Sequence, residues 1–149
     1  MTVNMTGNVP VNHWLVFALA SAFFAAMTAI LGKLGVSEIN SNLATLIRTF
    51  IVLLMTAGFV TFHNDWQPVS KMSLFGVAAL TLSGFATGLS WLCYYRALQL
   101  GPASRVAPID KLSVVVVIIC SVLFLKEALT WKVAVGGCLI TAGAVLMAL

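Results

Sequence analysis

The sequence predicts an all-α polytopic membrane protein, a bundle of five transmembrane helices. Of its 149 residues, 61% are hydrophobic and only 8% are charged, whereas a soluble domain of this length carries about a quarter charged residues. Five apolar stretches each approach the roughly 20 residues that cross a bilayer as a helix. No two-residue alternation indicates strands, and an open sheet edge cannot lie in lipid. Lipid is therefore the expected solvent for most of the surface.

The stretches follow one another with short polar breaks. A polar tail is expected over residues 1–13 and a single transmembrane domain over 14–149. The spans are expected at about residues 14–31, 43–62, 74–95, 103–125 and 131–149. Turn-forming residues separate them, and Ser70 is placed to cap the third helix. Within the first span, Ala18, Ala22 and Ala26 recur at a four-residue spacing that favours close helix packing in lipid.

Several functional classes are disfavoured by composition. The eight basic residues are spread singly along the chain, without the basic patch that nucleic-acid binding needs. The three cysteines and two histidines show no metal-ligand spacing, so no metal and no cofactor are expected. No nucleophile–base pair or phosphate-cradling loop points to an enzyme.

Three charged residues fall inside the apolar spans. Arg48 lies six residues into the second span, and Asp110 and Lys111 lie at a similar depth in the fourth if that helix begins at Ala103. A charge in the membrane costs at least about 2.5–3.5 kcal/mol unless it faces a cavity or a partner. Neighbours at positions 110 and 111 point about 100° apart on a helix, so Arg48 is the expected partner of Asp110. Under this hypothesis the three residues line or gate a cavity.

A structural alternative remains open for the same residues. Pro108 suits the first turn of a helix, and a fourth span that began there would place Asp110 at its positive end. Asp110 would then cap the helix, and Lys111 would extend to the lipid headgroups. Trp91 and Tyr94 are further candidates for the wall of a substrate cavity.

The odd number of spans places the two termini on opposite sides of the membrane. Side A denotes the side of the N-terminus, and side B denotes the other. Side A carries Lys71, Lys126 and Lys132, and side B carries Lys33, Arg48, Arg96, Arg105 and Lys111. Lys33 and Arg96 are expected to extend from helix ends to the headgroups. Three basic residues against five is a weak bias under the positive-inside rule, and the count is three against three if Arg48 and Lys111 sit too deep in the membrane to be included. The chain could therefore insert in both orientations.

Several segments resemble the EamA domain of the drug/metabolite transporter superfamily. They are Gly32-Lys33-Leu34-Gly35, Ala44-Thr45-Leu46-Ile47-Arg48, Arg96-Ala97-Leu98-Gln99-Leu100-Gly101-Pro102-Ala103, Pro108-Ile109-Asp110-Lys111-Leu112-Ser113 and Leu123-Phe124-Leu125-Lys126-Glu127. The resemblance covers about residues 14–149. The chain lacks a tryptophan–glycine pair in helix one that many members show. It also lacks the helix-one acid of the four-helix multidrug members, so their proton coupling is not carried over.

The resemblance implies export of amino acids, other metabolites or drugs through a cavity between two five-helix halves of opposite orientation. This chain is similar to one half. We therefore expect an alternating-access transporter in a cell membrane, of the bacterial inner-membrane type, formed by an antiparallel homodimer around a small-molecule substrate. The expected substrate-binding residues are Arg48, Trp91, Tyr94, Asp110 and Lys111. The alternative is a non-transporting membrane subunit that packs against a larger partner.

Overall fold

The computed structural model describes residues 13–149, which form six α-helices and one short 3₁₀ turn. The helices are α1 His13–Val36, α2 Ser41–His63, α3 Leu74–Leu100, α4 Ala103–Asp110, α5 Ser113–Phe124 and α6 Trp131–Ala148. α4 and α5 together make one crossing, so the described residues contain five helical segments long and apolar enough to span a membrane. The predicted all-α fold is confirmed. The predicted tail lies, except for His13, outside the described residues.

The helix ends follow local sequence signals. The Asn40 side chain accepts a hydrogen bond from the Asn42 N–H at the start of α2. Asn64 ends the same helix with a left-handed φ of 56°. Its N–H donates to the Thr61 carbonyl, and the Asp65 N–H donates to the Val60 carbonyl. These two hydrogen bonds satisfy carbonyl groups in the last turn of the helix, which have no partner within it.

The predicted start of α3 agrees with the structure, but the predicted capping residue does not. Ser70 does not cap this helix, because it lies in a separate 3₁₀ turn, Val69–Lys71. α3 begins at Leu74, and Ser73 is its N-cap, without a side-chain capping bond. Ser70 was predicted as the cap from its residue type, and the 3₁₀ turn separates it from the first residue of α3.

The fourth span was expected as one helix, but it contains a break. Pro108 lies inside α4 and has no N–H to donate. Beyond it, the Lys111 N–H donates to the Pro108 carbonyl, and the Leu112 N–H donates to the Ile109 carbonyl. Val114 and Val115 continue this three-residue spacing. The chain therefore leaves α-helical geometry between Asp110 and Ser113, where 3₁₀-type bonds replace the α-helical ones.

The core of the molecule lies at the side-B end, where α1 and α3 end and α2 and α4 begin. Val36, Tyr95 and Leu98 are buried there. Partly buried hydrophobic residues from neighbouring helices pack around them, namely Ala44, Tyr94, Ala103 and Val106. Gly32 allows α1 to approach this cluster, since a Cβ at that position would lie 3.2 Å from the Tyr95 hydroxyl oxygen.

Hydrogen bonds connect the side-B ends of α1 and α3 in both directions. The Lys33 Nζ donates to the carbonyls of Leu98 at 2.6 Å and Gly101 at 2.9 Å. The Gln99 amide donates in return to the Val36 carbonyl at 3.4 Å. The prediction that Lys33 reaches the headgroups is thus wrong. Its ammonium instead satisfies the last carbonyls of α3, where a cation also complements the negative helix end. These three bonds and their five residues are called the α1–α3 clasp below.

Candidate functional site

The five predicted site residues come together around one cavity. Its volume is about 190 Å³. Three elements supply these residues: α2, the side-B half of α3, and the junction of α4 with α5. The lining residues are Ala25, Thr28, Arg48, Ser90, Trp91, Tyr94, Asp110 and Lys111. This is a polar cavity within membrane-spanning segments, about 10 Å along α2 from its first residue.

Arg48 is held by aromatic rings. The central carbon of its guanidinium lies 3.9 Å from the centroid of the Trp91 ring and 5.5 Å from that of Tyr95. A guanidinium over an aromatic face is attracted by the ring's negative face, and its N–H donors remain free along its edge. Trp91 therefore fixes the position of Arg48 without consuming its hydrogen bonds.

Asp110 pairs with its sequence neighbour. The Lys111 Nζ donates to the Asp110 Oδ2 at 3.3 Å. The prediction that Arg48 pairs with Asp110, and that residues 110 and 111 cannot meet, is wrong. It assumed a continuous α-helix, whereas α4 ends at Asp110 and the four-carbon stem of Lys111 spans the remaining separation. The pair is partly open, with the Lys111 side chain 57% exposed and the Asp110 side chain 37% exposed.

The structure also decides where the fourth span begins. α4 starts at Ala103, after an extended Pro102, so Asp110 is the last residue of that helix. The alternative in which Asp110 caps a helix beginning at Pro108 is therefore wrong. Asp110 and Lys111 lie instead at the α4–α5 junction, about a third of the way along the span Ala103–Phe124 from side B, and both line the cavity.

A second, larger cavity adjoins the first. Its volume is about 480 Å³, and it shares Ala25, Tyr94 and Lys111 with the polar cavity. An alanine-rich face of α1 provides much of its lining, which includes Ala18, Ala22, Ala25, Ala26 and Ala29. The small side chains predicted to favour helix packing thus border a groove. It extends from Lys111 toward side A.

Two polar lining residues, Thr28 and Ser90, were not among the predicted site residues. Thr28 is a lone hydroxyl residue in the apolar second half of α1, and that isolation was the available signal. Ser90 lies directly before Trp91 on α3 and also lines the cavity. Within residues 13–149 no cluster of three metal-ligating side chains occurs.

A multi-span helical bundle with charged side chains around a cavity in its membrane-spanning part has the architecture of a membrane transport protein. The chain belongs to the EamA-like transporter family, whose model matches residues 12–149. It is also 51% identical over 135 residues to a Sinorhizobium sp. protein named "uncharacterized transporter in cobO 3′ region". That alignment covers 91% of this chain and 96% of the relative. No solved structure matches the chain significantly.

These similarities confirm the predicted family and the assignment to transporters in general. Together with the five spans, they show that this is a multi-pass membrane protein.

Proposed function

We propose that the chain transports a small molecule by alternating access and that the polar cavity is its substrate site. The observation that carries the proposal is the convergence of Arg48, Trp91, Tyr94, Asp110 and Lys111 on one cavity. Charges held in a membrane at a cost of at least about 2.5–3.5 kcal/mol each are usually functional. The Asp110–Lys111 ion pair is partly exposed, and the edge of the Arg48 guanidinium carries N–H donors beside the Trp91 ring. These groups can form hydrogen bonds with a substrate inside the membrane, where water is absent.

We further propose that two chains pair in antiparallel orientation. In the most apolar stretch of the third span and in that of the fourth span, the chain itself buries no residue. A second, inverted copy could cover part of this surface and bring its own Arg48, Asp110 and Lys111 to a shared lumen. The nearly balanced distribution of basic residues permits both orientations. Substrate sites of many transporters lie at such an inverted-repeat interface near midplane.

A flux assay tests the proposed site. The purified protein is reconstituted in liposomes and screened for counterflow of radiolabelled amino acids, organic anions and lipophilic cations. In the double variant Asp110→Asn, Lys111→Gln, we expect the flux of any transported compound to fall at least about tenfold, the effect of losing one strong charged contact.

The matched control removes a similar pair of charges outside the cavity. Lys126→Gln with Glu127→Gln alters the side-A loop that follows α5 and should retain wild-type flux. Equal flux in wild type and the Asp110, Lys111 variant would refute the site. A correctly inserted wild-type protein that moves none of the compounds would instead favour the non-transporting subunit.

A further inference from the structure

We infer that the polar cavity binds a small organic anion and that the Arg48 guanidinium holds its acidic group. This inference rests on the proposed function, because it names the substrate class of the same site. It follows from the charges that line the cavity, from the geometry of Arg48, and from the size of the space.

The lining carries a net positive charge. Arg48 and Lys111 supply two positive charges and Asp110 supplies one negative charge, which leaves +1. Lys111 and Asp110 neutralise each other across 3.3 Å and form the only ion pair among the described residues. The Arg48 charge is therefore left without a carboxylate partner in the described part of the chain. A bound anion would supply the missing counter-charge.

The orientation of Arg48 favours an acidic group over other ligands. Its face is occupied by Trp91 at 3.9 Å, so its planar N–H donors are available only at the edge. That edge matches the two oxygens of a carboxylate or a similar oxyanion, which a guanidinium can bind bidentately. The carboxylate of Asp110, the natural acceptor for a cationic ligand, is already engaged by Lys111.

A lipophilic cation fits this cavity poorly. It would meet a lining of net positive charge, and the Trp91 face that could attract it already carries Arg48. The volume of the polar cavity, about 190 Å³, is below the roughly 300–1,000 Å³ typical of sites for drug-sized ligands. A larger ligand would have to extend into the adjoining alanine-rich groove, whose lining offers no charged side chain besides Lys111. A small anionic metabolite suits both the charge and the space.

Binding to matched acids and amides tests the inference. The probes are three acid–amide pairs: propionate and propionamide, succinate and succinamide, and benzoate and benzamide. Benzamidinium, a cation with the same shape as benzoate and benzamide, is added as a fourth probe. Thermal unfolding of the full-length protein in nanodiscs is followed against probe concentration at neutral pH. We expect at least one acid to bind about tenfold or more tightly than its amide, and benzamidinium to bind no better than benzamide.

Variants of Arg48 assign the preference to this residue. Arg48→Gln should abolish the preference of acid over amide. Arg48→Lys keeps the charge but loses the planar fork and should retain an intermediate preference, which shows that the site still folds. Arg105→Gln removes an exposed side-B cation that does not line the cavity and should bind like wild type.

Three results would overturn the inference. They are an amide or benzamidinium binding as tightly as the acids, no acid-dependent stabilisation with any of the three acids, and an unchanged acid preference in Arg48→Gln. None of these results bears on the flux assay. A protein that carries amides or cations through a cavity sensitive to the Asp110 and Lys111 double substitution would keep the proposed transport function and lose only the anionic substrate.

Discussion

Trp91 is the residue on which the geometry of the site depends most directly, because the Arg48 guanidinium lies over its ring. A cation over an aromatic face is stabilised by about 0.5–2 kcal/mol. We expect Trp91→Leu to release the guanidinium and to weaken anion binding by about two- to thirtyfold. Trp91→Phe keeps a smaller ring, and its anion affinity should lie between those of the wild type and Trp91→Leu. Anion titrations monitored by thermal unfolding measure the order.

A tryptophan outside the cavity serves as the control for this series. Trp66 lies on side A and donates from its indole N–H to the Thr61 hydroxyl. Trp66→Leu removes the same ring but should leave anion binding at the wild-type level. If Trp91→Leu binds the anions as tightly as wild type, the ring does not position Arg48 for its ligand.

The sequence identified the charged residues of the cavity but not their partners. Arg48, Asp110 and Lys111 were found because a charge within an apolar span is costly and therefore conspicuous. Which charges pair depends on angstrom-scale distances between helices and on the local break at residue 111. Hydropathy contains neither quantity. The same limit explains Lys33, whose acceptors Leu98 and Gly101 lie more than sixty residues away.

At the scale of elements, α1 and α3 are packed tightly at side B because of one glycine. A methyl group at position 32 would lie 3.2 Å from the Tyr95 hydroxyl oxygen and 3.3 Å from its ring carbon. Tyr95 is only 4% exposed and packs in the core, so it cannot easily move away. Overpacking costs about 1–3 kcal/mol, and the helix preference for alanine over glycine offsets roughly 0.5–1 kcal/mol of that cost. We therefore expect Gly32→Ala to destabilise the fold by up to about 2 kcal/mol.

The matched control lies on the same helix. A Cβ at Gly35 would meet no atom within 4 Å, and alanine is preferred over glycine inside a helix by roughly 0.5–1 kcal/mol. Gly35→Ala should therefore be neutral or slightly stabilising. Unfolding midpoints of both variants in the same nanodiscs provide the comparison. A Gly32→Ala midpoint equal to or above that of Gly35→Ala would show that Tyr95 accommodates the methyl group.

Element boundaries were predictable to different degrees. Asn40 and Asn64 carry recognised capping chemistry, and α2 begins and ends beside them. The division of the fourth span into α4 and α5 coincides with the charged residues Asp110 and Lys111, but charges within a span do not by themselves show that the helix is interrupted. Pro108 indicated a disturbance, but the break appears three residues later, where it places Asp110 and Lys111 at the cavity.

At the scale of the whole molecule, composition and span length were sufficient for the fold. Lipid as the solvent restricts the chain to helices that satisfy their own backbone bonds, so counting the spans determines the architecture. How the helices are arranged was less predictable. Buried residues are concentrated at the side-B core and the α1–α3 clasp, while most of the remaining surface is exposed on the single chain.

The proposed antiparallel pair makes a prediction about charge that a parallel pair or a monomer does not. Arg48 and Lys111 lie inside the spans at the cavity, so three basic residues remain near each face. Asp65 and Gln67 lie in the side-A connection, and replacing both by lysine gives five against three, which should force side A into the cytoplasm under the positive-inside rule. Glu38→Lys with Asn42→Lys should force side B inward. Each variant alone would then lack oppositely oriented partners, and we expect each to lose nearly all flux. Expressed together, the two should restore it.

The conservative changes Asp65→Glu and Gln67→Asn control for the positions themselves and should leave flux unchanged. Labelling of a cysteine added near Leu149, in a background without native cysteines, reports orientation from each face of the membrane. Wild type should be labelled from both faces and each lysine variant from one. Full flux from a variant labelled from one face only would rule out the antiparallel pair, because one orientation would then suffice. Restoration only on coexpression is the outcome required if the two halves of the transport site are supplied by inverted copies of the same chain.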